Sequence, residues 1–334
     1  MIILGIESSC DDAAAAVIET ERLGAVIVRA NAVANQDDIH RPYGGVVPEL
    51  ASRNHVLTID PVVQRTLASA RCELGDIDGI AVTRGPGLVG SLLVGLMYAK
   101  GLAHATGIPM VGVNHLEGHL LAPMLENEVT MPYLALVVSG GHTALFVVAN
   151  YGSYQRLGAT RDDAAGEAFD KVAKLMGLGY PGGRIIDEMA RTGNPKRLRL
   201  PRARVKGSPL AFSFSGLKTA VALFLKSEAA AVTSPHDLAA SFQEAVVDTL
   251  VRPTIAAARE VDAATIVLTG GVAANSRLRE RLGAAAAADG RRLVAPSFKY
   301  CTDNAAMIAI AGSYRLLRRE TDPLSIDAEA NLPL

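Results

Sequence analysis

The same succession of patterns occurs twice along this chain, and that repeat constrains the fold more than any other feature. In the first half an apolar run at 2–6, a polar cluster Glu7-Ser8-Ser9-Cys10-Asp11-Asp12 and a second apolar run at 13–17 predict a hairpin with a polar turn. A further apolar stretch covers 25–33. Residues 48–70 then predict a helix, 77–82 a buried strand, Gly85-Pro86-Gly87 a break, 88–105 a long apolar helix, and 110–113 a strand. In the second half 133–138 and 143–148 predict strands around the turn Ser139-Gly140-Gly141-His142. Later, a helix at 238–259, a strand at 265–268, the turn Gly270-Gly271 and a helix at 273–288 repeat the earlier order, and 305–318 predicts a last helix.

Two half-chains with one plan predict an α/β fold of duplicated domains, 1–130 and 131–334, with a ligand cleft between the copies. At 334 residues and 49% hydrophobic, the chain can fill two cores. Residues from about 161 to 225 have no counterpart in the first half and are expected to form a mainly helical insertion that decorates or closes the cleft.

No run approaches the roughly 20 apolar residues of a membrane span, and the start MIILGIESS lacks the basic flank and cleavage site of a signal peptide. Three cysteines, Cys10, Cys72 and Cys301, have no Cys-x-x-Cys spacing and indicate neither a disulfide framework nor a cysteine zinc site. A cytoplasmic protein without a membrane partner is expected. The net charge of −1 and the lack of Trp argue against a wholly basic nucleic-acid binder, so RNA contact requires a local patch. Residues 195–207 offer one, with Lys196, Arg197, Arg199, Arg202, Arg204 and Lys206 and no acid; a solvated basic loop is the alternative.

Asn114-His115-Leu116-Glu117-Gly118-His119 carries the sharpest chemical signal. On a helix, imidazoles at i and i+4 share a face and can hold one cation, given a third ligand; otherwise they are two ordinary histidines. The spacing superficially resembles the zinc-peptidase pattern His-Glu-x-x-His. Glu117, however, is two residues after His115 and turned about 200° from it, away from the shared face. Three glycine turns, Gly85-Pro86-Gly87, Ser139-Gly140-Gly141 and Gly270-Gly271, suit backbone approach to phosphate, although each alone can serve a tight turn. Asp11 and Asp12 occupy a hairpin tip, and Asp303, at the start of the last helix, suits a cap.

Together, Gly5-Ile6-Glu7-Ser8-Ser9-Cys10-Asp11-Asp12, Val47-Pro48-Glu49-Leu50-Ala51-Ser52-Arg53, the Gly85-Pro86-Gly87 turn, the Asn114 to His119 motif, Ser139-Gly140-Gly141-His142-Thr143, Phe212-Ser213-Phe214-Ser215-Gly216-Leu217-Lys218 and Tyr300-Cys301-Thr302-Asp303 resemble the TsaD family, in its bacterial form. The resemblance spans nearly the whole chain. It implies the actin, sugar-kinase and chaperone ATPase fold, whose duplicated ribonuclease-H-like domains enclose a central nucleotide cleft. It also implies transfer of threonylcarbamoyl from threonylcarbamoyl-AMP to N6 of adenosine 37 in tRNAs that read codons beginning with A.

By the same resemblance His115, His119 and Asp303 are the ligands of one divalent ion per subunit, Fe2+ or Zn2+. Val137, Val138, Ser139, Gly140, Gly141, Asp170, Gly183, Asp187 and Asn275 line the donor site, with Asp170 and Asp187 contacting ribose or carbamoyl groups. ATP or ADP is a further candidate occupant of the cleft. Asp11 is the candidate acceptor of the N6 proton. The implied partners are tRNA, through its anticodon loop, TsaB and TsaE, with the donor made by a separate TsaC/Sua-type enzyme. An ATPase or kinase of the same superfamily, a metallopeptidase and a noncatalytic scaffold are the rival functions.

Overall fold

The computed structural model describes residues 1–334. The chain runs β1 (Ile2–Glu7), β2 (Ala13–Arg22), β3 (Ala25–Ala34), α1 (Asp37–His40), α2 (Pro48–Ala70), β4 (Gly79–Gly85), α3 (Val89–Thr106), β5 (Met110–Asn114) and α4 (His115–Leu121). It continues with β6 (Tyr133–Val138), β7 (Thr143–Asn150), β8 (Ser153–Ala159), α5 (Ala165–Leu175), α6 (Gly182–Ala190), α7 (Ser215–Leu225), α8 (Glu228–Ala231) and α9 (Pro235–Glu260). β9 (Thr265–Thr269), α10 (Ser276–Ala288), β10 (Arg292–Val294) and α11 (Ala305–Leu317) complete it. No helix is long and apolar enough to cross a membrane.

The predicted duplication is present strand for strand. One sheet has the order β3-β2-β1-β4-β5 and the other β8-β7-β6-β9-β10. In each, three consecutive strands pair antiparallel and two later strands pair parallel to the first. Parallel neighbours need crossovers, and α2 and α3 in one half and α9 and α10 in the other supply them. Residues 161–225 hold the three helices α5, α6 and α7, but the stretch 191–214 between α6 and α7 is not helical, so the segment is less helical than expected. β8 and β10 escape sequence reading because β8 is largely solvated on both faces and β10 has only three residues.

Two compact units result, Met1–Glu128 with Pro296–Leu334, and Val129–Ala295. The sequence boundary at 130/131 assigned all later residues to the second lobe; the last 39 residues instead pack with the first unit. α11 explains this difference: it is apolar almost all round and buried along most of its length. Two glycines let it lie against the first sheet. An added Cβ at Gly5 in β1 would sit 2.3 Å from the Ala305 carbonyl oxygen, and one at Gly312 would sit 2.5 Å from the Ala81 Cβ. The tail beyond α11 is tied to the same sheet, with Asp322 N donating to Met110 O at 2.9 Å and Glu329 N to Arg84 O at 2.8 Å.

Candidate functional site

In the first unit α4 begins directly after β5, with Asn114 as its cap; the Asn114 Oδ1 accepts from Leu116 N at 2.9 Å. All seven residues of α4 are buried. Gly118 allows this, since its Cβ would meet Ile308 Cδ1 at 2.8 Å and Met307 Cγ at 3.1 Å on α11. The same close packing brings Asp303, two residues before α11, against the histidines. Its Oδ1 lies 3.2 Å from His119 Nε2 and 3.6 Å from His115 Nε2. Asp303 does not cap α11: the Asn304 side chain takes that role, accepting from Met307 N at 3.0 Å.

These three ligand atoms lie within 4.8 Å of one another. Iron or zinc bonds of roughly 2.0–2.2 Å place neighbouring ligand atoms about 3–3.5 Å apart, and two imidazoles with one carboxylate suit either ion and leave positions open. The set therefore fits the implied metal. Glu117 takes no part. It is buried and hydrogen-bonds the Tyr314 hydroxyl, whose pKa is pushed up to about 12 by burial and by this carboxylate.

Behind the ligands stand two residues to which sequence reasoning gave no role. His115 Nδ1 is 3.0 Å from Glu7 Oε2 and 3.0 Å from Ser9 Oγ. Glu7 closes β1, fully buried, and accepts from Thr83 Oγ1 at 2.6 Å and from Ser9 N. Burial pushes the Glu7 carboxyl up, but the charge and hydrogen bond of His115 outweigh it and hold the group below its usual range. Burial likewise opposes the charged form of His115, yet Asp303 and Glu7 raise its pKa to about 9. The available signal was a lone Glu ending an otherwise apolar strand, a position that requires a buried partner.

In the turn after β1, burial followed by the charges of Asp11 and Asp303 pushes Asp12 up to about 8. Asp11 is also raised, chiefly by burial. Asp12 Oδ1 accepts from Asn35 Nδ2 at 2.9 Å.

In the second unit β6 and β9 are parallel neighbours, and their carboxyl ends run into Ser139-Gly140-Gly141 and Gly270-Gly271. Such ends are the usual ligand position of an α/β sheet. Val137 and Val138 are buried at the end of β6. Gly270 packs tightly, as its Cβ would sit 2.4 Å from Val138 O, whereas side chains at Gly140, Gly141 or Gly271 would enter open space. Packing does not require glycine at these last three, and their backbone is open to close approach.

The other residues expected at the donor site fasten the local structure. Asp170 Oδ1 accepts from Gly182 N at 2.8 Å at the start of α6, beside Gly183. Asp187 accepts from Ser276 Oγ at 2.8 Å, joining α6 to α10. Asn275 caps α10 through Leu278 N at 2.9 Å and donates to Gln243 Oε1 of α9 at 2.8 Å. The Phe212 to Lys218 motif is held by Asp162, which accepts from Ser213 Oγ at 2.6 Å, Phe214 N at 2.7 Å and Ser215 Oγ at 2.8 Å. Lys218 pairs with Asp163 at 2.7 Å. Neither Asp162 nor Asp163 was singled out by sequence.

Residues 27–310 match the TsaD family, described as tRNA N6-adenosine threonylcarbamoyltransferase. A protein of that name from Syntrophotalea carbinolica is 52% identical over 100% of this chain and 97% of its own length. One from Anaeromyxobacter dehalogenans is 53% identical over 98% of each chain. Among solved structures, the activator of the 2-hydroxyisocaproyl-CoA dehydratase from Clostridium difficile, with bound ADPNP, matches with TM-score 0.56 and 12% identity over 98% of this chain and 100% of that one. Full-length HypF matches with TM-score 0.60 and 13% identity over 94% of this chain and 46% of that one. At such identities these two speak to the fold alone.

Proposed function

The chain belongs to the TsaD family of tRNA N6-adenosine threonylcarbamoyltransferases, and we propose that it transfers threonylcarbamoyl from threonylcarbamoyl-AMP to N6 of adenosine 37 in tRNAs reading codons that begin with A, releasing AMP. The observation that carries this most directly is the convergence of His115, His119 and Asp303 within 4.8 Å, backed by Glu7.

In the reaction the N6 amine attacks the carbamoyl carbon of the mixed anhydride. A nitrogen–carbon bond forms, the carbon–oxygen bond to phosphate breaks, AMP leaves with the electron pair, and N6 gives up one proton. His115, His119 and Asp303 would hold the divalent iron or zinc, which when bound would supply Lewis-acid polarisation of a substrate oxygen. Glu7 fixes the His115 ring so that Nε2 faces Asp303. The open backbone of Gly140, Gly141 and Gly271 receives the donor phosphate, Val137, Val138 and Ser139 complete that turn, and Asp170, Gly183, Asp187 and Asn275 border it. ATP or ADP would use the same cradle. Asp11 takes the N6 proton, its burial having raised its affinity for protons.

The exposed apolar side chains of the packed helices α2 and α3, among them Leu57 at 73% and Met97 at 56% exposure, suit docking of a protein partner. TsaB and TsaE are the partners assigned here, with the donor supplied by a TsaC/Sua-type enzyme and the reaction placed in the cytoplasm. Transfer of labelled threonine to acceptor tRNA, with these proteins present, tests the assignment.

A further inference from the structure

One surface of the Val129–Ala295 unit has charge that none of these roles uses. Residues 208–212 lie along the outer edge of β8. Thr160 and Phe212 form a parallel bridge, Phe212 N donates to Ala159 O at 3.2 Å, and Arg161 N donates to Phe212 O at 3.0 Å. Gly158 permits the approach, because a Cβ there would sit 2.1 Å from Leu210 O. This segment separates two depressions and walls both with Pro209 and Ala211. The first, of about 490 Å3, has Arg156, Arg161 and Glu260 in its lining. The second, of about 330 Å3, has Arg204 and Arg252.

All four arginines are exposed, and none forms an ion pair with a carboxylate. Arg161 donates to Ser208 Oγ at 3.1 Å and Arg252 to the Asp248 carbonyl at 3.2 Å, so both are oriented by neutral acceptors and keep their charge uncompensated. Other guanidinium groups of the unit are neutralised: Arg202 by Asp248, Arg277 by Glu244, Arg259 and Arg291 by Asp289. Against one acid, Glu260, the two depressions carry four cations. The adjoining loop 195–207 adds four more, Lys196, Arg197, Arg199 and Lys206, with Arg204 already named and Arg202 paired. In a chain of net charge −1, this is a local positive face rather than a consequence of composition.

Planar guanidinium forks in a concave, hydrated setting match phosphate oxygens, and paired forks suit a polyphosphate backbone better than a single anion. We propose that this double depression is where the chain grips the phosphate backbone of its RNA substrate, the pair Arg156 and Arg161 on one side of the 208–212 segment and the pair Arg204 and Arg252 on the other. The inference rests on the tRNA-modifying assignment and adds to it the surface that holds the RNA away from the acceptor base.

Equilibrium binding of unmodified acceptor tRNA to the full chain, assembled with TsaB and TsaE, tests it across a salt series. The variants are R156Q/R161Q and R204Q/R252Q, with R184Q as control, since Arg184 is exposed and paired with Glu188. Each double variant should lose about tenfold or more in affinity near 0.1 M salt and flatten the plot of log affinity against log salt by about two, roughly one released counterion per arginine. The control and the thermal midpoints of all variants should match the parent. Unchanged affinity and slope in both double variants, with the parent binding tRNA, would overturn the placement of the RNA. Absence of salt-dependent tRNA binding by the parent assembly would instead remove the transferase assignment on which it rests.

Discussion

Glu7 Oε2 and His115 Nδ1 are 3.0 Å apart, so the last residue of the first strand sets the ring orientation of an imidazole that the fold brings in from more than a hundred positions downstream. With Nδ1 engaged, Nε2 is left facing Asp303 and His119. The carboxylate–histidine arrangement is the usual support of a metal-bound histidine.

Glu7→Gln should therefore weaken metal binding by about 10- to 100-fold while leaving the three ligands in place. Competitive chelator titration of purified protein measures this. Glu117→Gln, which alters the partner of Tyr314 rather than of the ligands, should leave the metal affinity unchanged. Equal effects of the two substitutions would show that Glu7 acts only through general stability.

Gly5→Ala should displace α11, because the added Cβ falls 2.3 Å from the Ala305 carbonyl oxygen. Overpacking of this kind costs about 1–3 kcal/mol, and it moves the element that presents Asp303. Urea unfolding should show the loss of stability, and chelator titration a weaker metal site.

Gly140→Ala is expected to behave in the opposite way. Nothing lies within 4 Å of the position its Cβ would take, so urea unfolding should be unchanged. Affinity for AMP or a donor analogue, measured by calorimetry, should fall by about tenfold as the methyl group obstructs approach to the turn. Undiminished affinity would remove the Ser139-Gly140-Gly141 turn from the donor site.

The carboxyl-terminal strap predicts an acid-sensitive term. Asp322 pairs with Arg315 at 2.8 Å and accepts from Gly112 N at 2.8 Å; burial opposes the charge, but these partners hold the carboxyl below its ordinary range. A depressed folded pKa contributes stability that is complete above the unfolded value, about 3.9, and is lost as pH falls through the lower folded value. Asp322→Asn should reduce stability near pH 6 and flatten its decline between about pH 5 and pH 2. Urea midpoints against pH, compared with the parent, check this.

The duplicated fold was legible because each half repeats long periodic elements, and the His115 and His119 pair because helical spacing alone puts both on one face. What escaped depended on contacts distant in sequence. Nothing near Glu7 shows that a histidine of α4 will meet it. Nor does the apolar character of α11 say which sheet it covers; the space above Gly5 decides that, and with it the return of Pro296–Leu334 to the first unit. The small pairing strands β8 and β10 lack the alternation or length that local pattern needs. Asp303 was ambiguous between cap and ligand until Asn304 proved to be the cap.

The most direct test of the central claim is transfer of labelled threonine to a tRNA carrying the acceptor adenosine, with the donor-forming enzyme, TsaB and TsaE present, comparing the parent chain with His115→Ala. The parent should place label on N6 and release AMP in equal amount, and the variant, folded but lacking one ligand, should lose at least about a hundredfold in rate. Absence of label with verified donor and folded parent protein would contradict the transferase assignment; full activity of His115→Ala would contradict the role given to the metal set.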